Sequence, residues 1–307
     1  MSRIIQFVTA FLLISRVGFC QSDSLTVVQA RWETRKVAPG IWLKTCWFDH
    51  NLFGANQYIS ILEIRQGRRN RIDVEAESKV LKPASEFGKE HHALAALNGT
   101  FFDTKNGGSE DYLRIDGKEL NGNKLNKNHA RAMHQKAAIV IDRHRLMIEP
   151  WNGSDDWEQH LKGSDIMVTG PLLLKNEQRV ELDTTSFFTA RHPRTAVARK
   201  GGRILFITVD GRNLKAAGMS LYELASFLKW MRADDAVNLD GGGSTTLWVE
   251  GFEEGGVINH PSDNKKMERA KEYKRGMDLD NLPADVQKWD HTGERKVANV
   301  LVVNEKR

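Results

Sequence analysis

The chain reads as an α+β protein: a single large domain built on a mixed β-sheet, with a βαβ unit and helices packed on it. Three observations lead there. Apolar, β-branched runs of strand length recur along the 307 residues, bounded by Gly, Pro, Asn and Asp. One helix has a clear start signal. Ser220 and Glu223 form an S-x-x-E capping box, and Leu221, Leu224, Ala225, Leu228 and Met231 then recur at helical spacing. That helix joins the apolar runs 204–209 and 236–239 through short connections, so the two runs are expected as parallel strands of one unit.

Taken in order, residues 41–48 and 58–64 read as strands, the second with period-2 alternation. Pro83 to Glu86 start a short helix that runs toward His92. The run 93–97 is a strand that ends in a polar turn holding Asn98, Thr100 and Asp103. Stretches 106–109 and 121–128 are loops. Runs 137–141 and 146–148 predict a hairpin around Arg143-His144, and 165–169 and 172–174 two strands around Gly170-Pro171. Arg194 precedes strand 195–199, which Gly201-Gly202 turns into strand 204–209. A helix-prone, highly charged stretch at 264–288 reads as an insertion, and 297–303 as a terminal strand. No internal repeat stands out, so one domain is placed over 22–307.

Residues 1–20 have the pattern of an export signal. Arg3 supplies the positive start, 4–14 the apolar run, and Gly18-Phe19-Cys20 the cleavage zone. The apolar run is far shorter than the ~20 residues of a membrane span, so none is expected. Lipid attachment at Cys20 ranks second, because Phe19 is a poor fit before it. The expected location is therefore secreted or periplasmic. The net charge of +5 becomes +3 once Arg3 and Arg16 leave with the signal, and basic residues are spread along the chain. That balance gives no case for a nucleic-acid partner. Cys46 is the one cysteine left after Cys20, so no disulfide framework is expected.

The chemistry concentrates at strand ends. Strand 204–209 ends in Asp210, followed by Gly211 and Arg212. Strand 236–239 ends in Asp240, then Gly241, Gly242, Gly243, Ser244, Thr245 and Thr246. Glycines without a Cβ let other groups approach the main chain, and successive N–H groups can cradle an anion. Ligands of open α/β sheets bind at that sheet edge.

These residues carry a resemblance. Asn98-Gly99-Thr100-Phe101-Phe102, Arg194-Thr195-Ala196-Val197, Val209-Asp210-Gly211-Arg212, Gly218-Met219-Ser220-Leu221, the run 238–246, Asn259 with Pro261-Ser262-Asp263, and Glu294-Arg295 follow one another as in the phosphodiester glycosidase family, which the chain resembles over about 60–303. The resemblance implies a hydrolase of sugar-1-phosphodiester linkages, of the N-acetylglucosamine-1-phosphodiester type, with a carbohydrate or glycopolymer phosphodiester as partner. About twenty extra residues separate Asp263 from Asp290-His291, a departure expected to alter the rim of the site.

On that basis Asp210 and Asp240 are the candidate catalytic pair, since glycosidases commonly use two carboxylates. Arg194, Arg212 and Arg295 are candidates for bidentate phosphate binding. The loop of Gly241, Gly242, Gly243 and Ser244 would add donors, and Asn98 and Asn259 would bind sugar hydroxyls or an acetamido group. Asp103 and Asp263 are reserve acids within the substrate site. No cofactor is required. The scattered His91, His92, His192 and His260 do not make a zinc motif, whereas Asp240 and Asp263 leave calcium or magnesium open. Trp151 and Trp157, in a polar loop, are the tryptophans that could stack on sugar. The rival function is a non-catalytic glycan- or glycopolymer-binding protein on the same fold.

Overall fold

The computed structural model describes residues 22–67, 69–125, 130–263 and 288–305. In chain order it runs through α1 (Asp23–Val28), β1 (Glu33–Ala38), β2 (Ile41–Leu52), β3 (Ala55–Arg65), β4 (Asn70–Ala76), α2 (Ala84–Glu90), β5 (Ala95–Asn98), β6 (Leu113–Ile115), β7 (Lys118–Asn121), β8 (Ala137–Asp142) and β9 (Arg145–Pro150). It continues with α3 (Trp157–His160), β10 (Asp165–Thr169), β11 (Leu172–Lys175), β12 (Gln178–Arg179), α4 (Ser186–Thr189), β13 (Arg194–Lys200), β14 (Arg203–Val209), α5 (Leu221–Trp230), β15 (Asp235–Asn238), β16 (Leu247–Val249) and β17 (Asn299–Glu305). The strands form three sheets, ordered β1-β2-β3-β14-β13-β15-β11-β12, β7-β6-β10-β8-β9 and β16-β5-β17-β4.

Both faces of the central strands of the large sheet are buried. Leu62, Ile64, Val197, Ile204, Phe206 and Val237 pack with Leu97, Ile139 and Leu301 of the smaller sheets. Their alternate neighbours Ile59, Ile61, Ala196, Leu205 and Ile207 pack with Leu221, Leu224, Phe227 and Leu228 of α5. Period-2 side-chain alternation makes that division. The capping box starts α5 as the sequence predicts. Glu223 N donates to Ser220 Oγ at 3.1 Å, and Ser220 N donates to Glu223 Oε2 at 2.9 Å.

The result is one α+β domain, but its sheets are not mixed. Every strand pair among the described residues is antiparallel. β14 and β15 do run the same way across α5, with β13 between them and antiparallel to both: Ala196 faces Ile207 on one side and Asn238 on the other. The βαβ unit is split by an inserted strand. Strands buried on both faces carry the continuous apolar runs that parallel strands also carry, so the runs alone did not fix the pairing.

The two predicted turns are present. Arg143 and His144 link β8 to β9, and Gly201 and Gly202 link β13 to β14 with φ of +51° and +77°, a geometry that glycine adopts without strain. The export signal and the charged stretch, apart from Lys288, lie outside the described residues. No described helix is long and apolar enough to cross a membrane.

Candidate active site

At one edge of the large sheet β14 and β15 end and β13 begins; the end of β5, from the four-stranded sheet, meets them there. Asp240 sits at this junction and its backbone is held from both sides. Its N–H donates to Gly99 O at 3.1 Å, and Asn98 Nδ2 donates to its carbonyl at 2.7 Å. The Asp240 side chain is partly exposed, and Gly241 N donates to Oδ1 at 2.9 Å. Burial pushes its pKa up to about 6, against the pull of the Ser244 hydrogen bond and the Arg295 charge; the Asp111 carboxylate pushes the same way as burial.

The glycine loop works differently from the expected anion cradle. The N–H groups of Gly241, Gly242, Ser244 and Thr245 all find acceptors inside the protein, so the loop does not present a row of free donors. Its glycines make room for side chains instead. A Cβ on Gly243 would overlap the Asp263 carboxylate and the Arg295 guanidinium, and one on Gly242 (φ +60°) would press on the Arg212 guanidinium.

Each predicted residue has a definite place. Arg295 grips Asp263, with Nε to Oδ2 at 2.7 Å and Nη2 to Oδ1 at 3.2 Å, and its Nη1 reaches Ser244 Oγ at 3.5 Å. Arg212 lies over the loop with Nη2 3.4 Å from His192 Nδ1, and forms no ion pair among the described residues. Arg194 is buried. Its Nε donates to Met219 O at 2.8 Å, and its Nη2 to Phe187 O and Ala190 O at 2.9 Å each. Burial, then the neighbouring Arg212, brings its pKa down to about 10, so it stays charged. These bonds make it a clamp on the chain before β13.

Asn98 and Asn259 are also scaffold. Asn98 is 0% exposed; its Oδ1 accepts from Thr195 Oγ1 at 2.8 Å and from Thr246 N at 3.0 Å. Asn259 Oδ1 accepts from Leu247 N at 2.8 Å, and its Nδ2 donates to Thr245 O at 2.9 Å. Both side chains are buried and bonded within the protein. Burial of Asn98 also closes the glycosylation acceptor that Asn98-Gly99-Thr100 spells in the sequence. Asp103 shapes its own loop, accepting from Lys105 N, Asn106 N and Asn106 Nδ2, and these bonds hold its carboxyl well below the usual range.

Asp210 is 1% exposed. Its Oδ2 accepts from His260 N at 3.0 Å and meets His260 Nδ1 at 2.7 Å, while Oδ1 is buried with no partner among the described residues. Burial raises its pKa, against the His260 hydrogen bond and charge. The His260 ring stacks on Trp289 at 3.8 Å and meets the edge of Tyr58 at 4.9 Å. Asp210 therefore acts on its surroundings through His260. Asp263 is committed to Arg295. No group of three or more His, Cys, Asp or Glu suited to a metal occurs among the described residues. Trp157 is core, and the Trp151 ring is taken by Arg131 and Lys136.

A second histidine–carboxylate pair escaped the sequence reading. Asp111, fully buried, accepts from Thr100 Oγ1 at 2.6 Å and Gln135 Nε2 at 3.1 Å, and lies 3.0 Å from His134 Nδ1. Asp111 is a single residue in an irregular stretch, and His134 sits in a one-turn 3-10 helix, Met133–Gln135. No period or motif marks them, and only the fold brings them together.

Comparison with known proteins follows the same residues. A family model described as phosphodiester glycosidase matches residues 91–274, more than half of the chain. The mouse N-acetylglucosamine-1-phosphodiester alpha-N-acetylglucosaminidase is 27% identical over 180 residues, covering 55% of this chain and 33% of that protein. An uncharacterized SPbeta prophage-derived protein of Bacillus subtilis, YomE, is 37% identical over 91 residues, covering 29% and 13%. The chain spans a third or less of the length of the curated relatives it matches. In three dimensions it is similar to the zebrafish N-acetylglucosamine-1-phosphodiester alpha-N-acetylglucosaminidase catalytic domain, auto-inhibited by its pro-peptide. The TM-score there is 0.59 at 22% identity, over 90% of this chain and 84% of that one.

Proposed function

The chain belongs to the phosphodiester glycosidase family, and on that premise we propose that it hydrolyses a sugar-1-phosphodiester, of the N-acetylglucosamine-1-phosphodiester kind, at the anomeric carbon. The observation that carries the reading is Asp240. Its carboxyl, pushed up to about 6 by burial, lies beside Ser244 and Arg295, at a loop over which Arg212 also lies. Above that pH a carboxylate stands ready to stabilise positive charge developing at C1, as nucleophile or as counter-ion. A phosphodiester is already a good leaving group, so the main demand is to hold its charge. Arg212 and Arg295 supply guanidinium groups for that. Asp210 contributes by fixing His260, and Arg194, Asn98 and Asn259 by fixing the backbone that presents Asp240.

The composition of residues 1–20 supports export of the protein. N-terminal sequencing of protein recovered outside the cell tests it; a mature chain still carrying those residues would refute it.

The test of function is turnover of an N-acetylglucosamine-1-phosphodiester by the purified chain. Wild type should release N-acetylglucosamine, and Asp240→Asn should lose activity by about 100-fold or more. Full activity in Asp240→Asn would remove that residue from catalysis. Saturable binding of the diester with no turnover would favour the glycan-binding alternative.

A further inference from the structure

Two groups beside Asp240 have no role in the reading above. Asp111 is fully buried, and His134 leans on it: Nδ1 is 3.0 Å from Oδ1 and 3.2 Å from Oδ2. Thr100 and Gln135 satisfy the rest of the carboxylate. A buried carboxylate so placed fixes the imidazole with Nδ1–H donating to it, leaving Nε2 on the opposite edge of the ring. The His134 side chain is 24% exposed, whereas Asp111 is sealed. Among the described residues Nε2 has no hydrogen-bond partner. Phe101 lies against the ring at 4.4 Å.

The pair shares a wall with Asp240. Thr100 binds Asp111, while Asn98 and Gly99, just before it, hold the Asp240 backbone. Gly170 packs against the His134 backbone and accepts from Asn238 Nδ2 at 3.0 Å, two residues before Asp240. The charges that bear most on His134 are acids: Asp111, Glu110 and Asp240. Together they outweigh the burial of the ring and favour the imidazolium.

We propose that His134, oriented by Asp111, is a second catalytic group whose Nε2–H serves the phosphate oxygen leaving C1. The inference rests on the proposed hydrolysis. In the first half, the C1–O bond breaks with its electron pair passing to the phosphate oxygen, which takes the Nε2 proton. In the second, water adds to C1 and gives a proton to Nε2. The products are the free sugar and a phosphomonoester, and the imidazolium is restored. Asp111 is a positioning residue in this scheme.

The experiment is the pH profile of kcat/KM on an N-acetylglucosamine-1-phosphodiester for wild type, His134→Gln and Asp111→Asn. The wild-type rate should fall at alkaline pH as His134 loses its proton. His134→Gln should be slower at pH 6 by about 100-fold and should lack that alkaline limb. Asp111→Asn should move the limb to lower pH, which a purely structural role would not do. A readout independent of turnover is the NMR titration of the His134 ring, whose pKa should rise when N-acetylglucosamine 1-phosphate is added. If wild type turns over while His134→Gln keeps both the rate and the limb, or if the titration ignores the sugar phosphate, this inference falls and the hydrolase reading stands. If wild type turns over no sugar phosphodiester, both fall.

Discussion

Arg295 holds Asp263 with two nitrogens, at 2.7 and 3.2 Å, over the main chain of Gly243. The glycine is there because a side chain would occupy the space of the ion pair. Gly243→Ala should cost about 1–3 kcal/mol of stability, as overpacking does, and should reduce kcat/KM further by turning Arg295 away from Ser244. Urea unfolding alongside kinetics separates the two effects. A variant with unchanged stability and activity would mean that the pair swings aside freely.

Asp240 should set opposite signs for activity and stability. Its pKa of about 6 in the fold exceeds the ordinary 3.8, so the folded state favours the protonated form. That contribution is complete below about pH 4 and is lost as pH climbs through about 6, so the ionised carboxylate opposes the fold at pH 8. Asp240→Asn should therefore melt a few degrees higher than wild type at pH 8, with the gain shrinking toward pH 4. Activity of the wild type should rise through pH 6, and the variant should show no such limb. Thermal melts at the two pH values and a pH–rate profile check both.

Arg212 makes no ion pair among the described residues, so its removal should barely touch stability. Arg212→Gln should change unfolding free energy by no more than about 0.5 kcal/mol. It should raise KM for the phosphodiester by about 10-fold or more, the scale of a lost charge-assisted hydrogen bond. An unaltered KM would take Arg212 out of substrate binding.

Asn98 is the reverse case. Asn98→Ala removes its bonds to the Asp240 carbonyl, Thr195 and Thr246. Leaving such buried groups unpaired costs about 2–4 kcal/mol. Chemical denaturation measures the loss, and a value under 1 kcal/mol would mean that water replaces the amide.

The fold was legible wherever one residue's neighbours in sequence are also its neighbours in space. Runs 58–64 and 204–209 became β3 and β14, the capping box at Ser220 starts α5, and Gly201-Gly202 turns β13 into β14. Several strands did not announce themselves, β1 and β4 the longest of them. In β1 the charged Glu33, Arg35 and Lys36 occupy a largely exposed sheet edge, so no apolar run marks it. In β4 Ile72 and Val74 alternate with Arg71, Asp73 and Glu75 over too few residues to stand out. Strand pairing was illegible because a strand buried on both faces looks the same whichever way its neighbour runs.

In the site, Asp240 could be named because it ends a strand, Arg212 because it follows Asp210-Gly211 at another strand end, and Arg295 because the family resemblance marks it. Asn98 and Arg194 could be named and were expected to bind sugar and phosphate, but the partners distant in sequence that hold them in the fold were not legible. Asp111 and His134 could not be named. Their meaning is a 3.0 Å contact across 23 positions, which no local pattern encodes.

The Asp240 backbone is tied to Asn98 and Gly99, and the turn at Thr100 is tied in its own right to Asn299, whose Oδ1 accepts from Thr100 N at 2.7 Å. Three segments spread over two hundred positions must meet before the carboxyl is in place. A chain emerging from the ribosome therefore cannot assemble this site until residues near 299 have joined the rest, and formation of the site during refolding would report the last docking event rather than the first collapse.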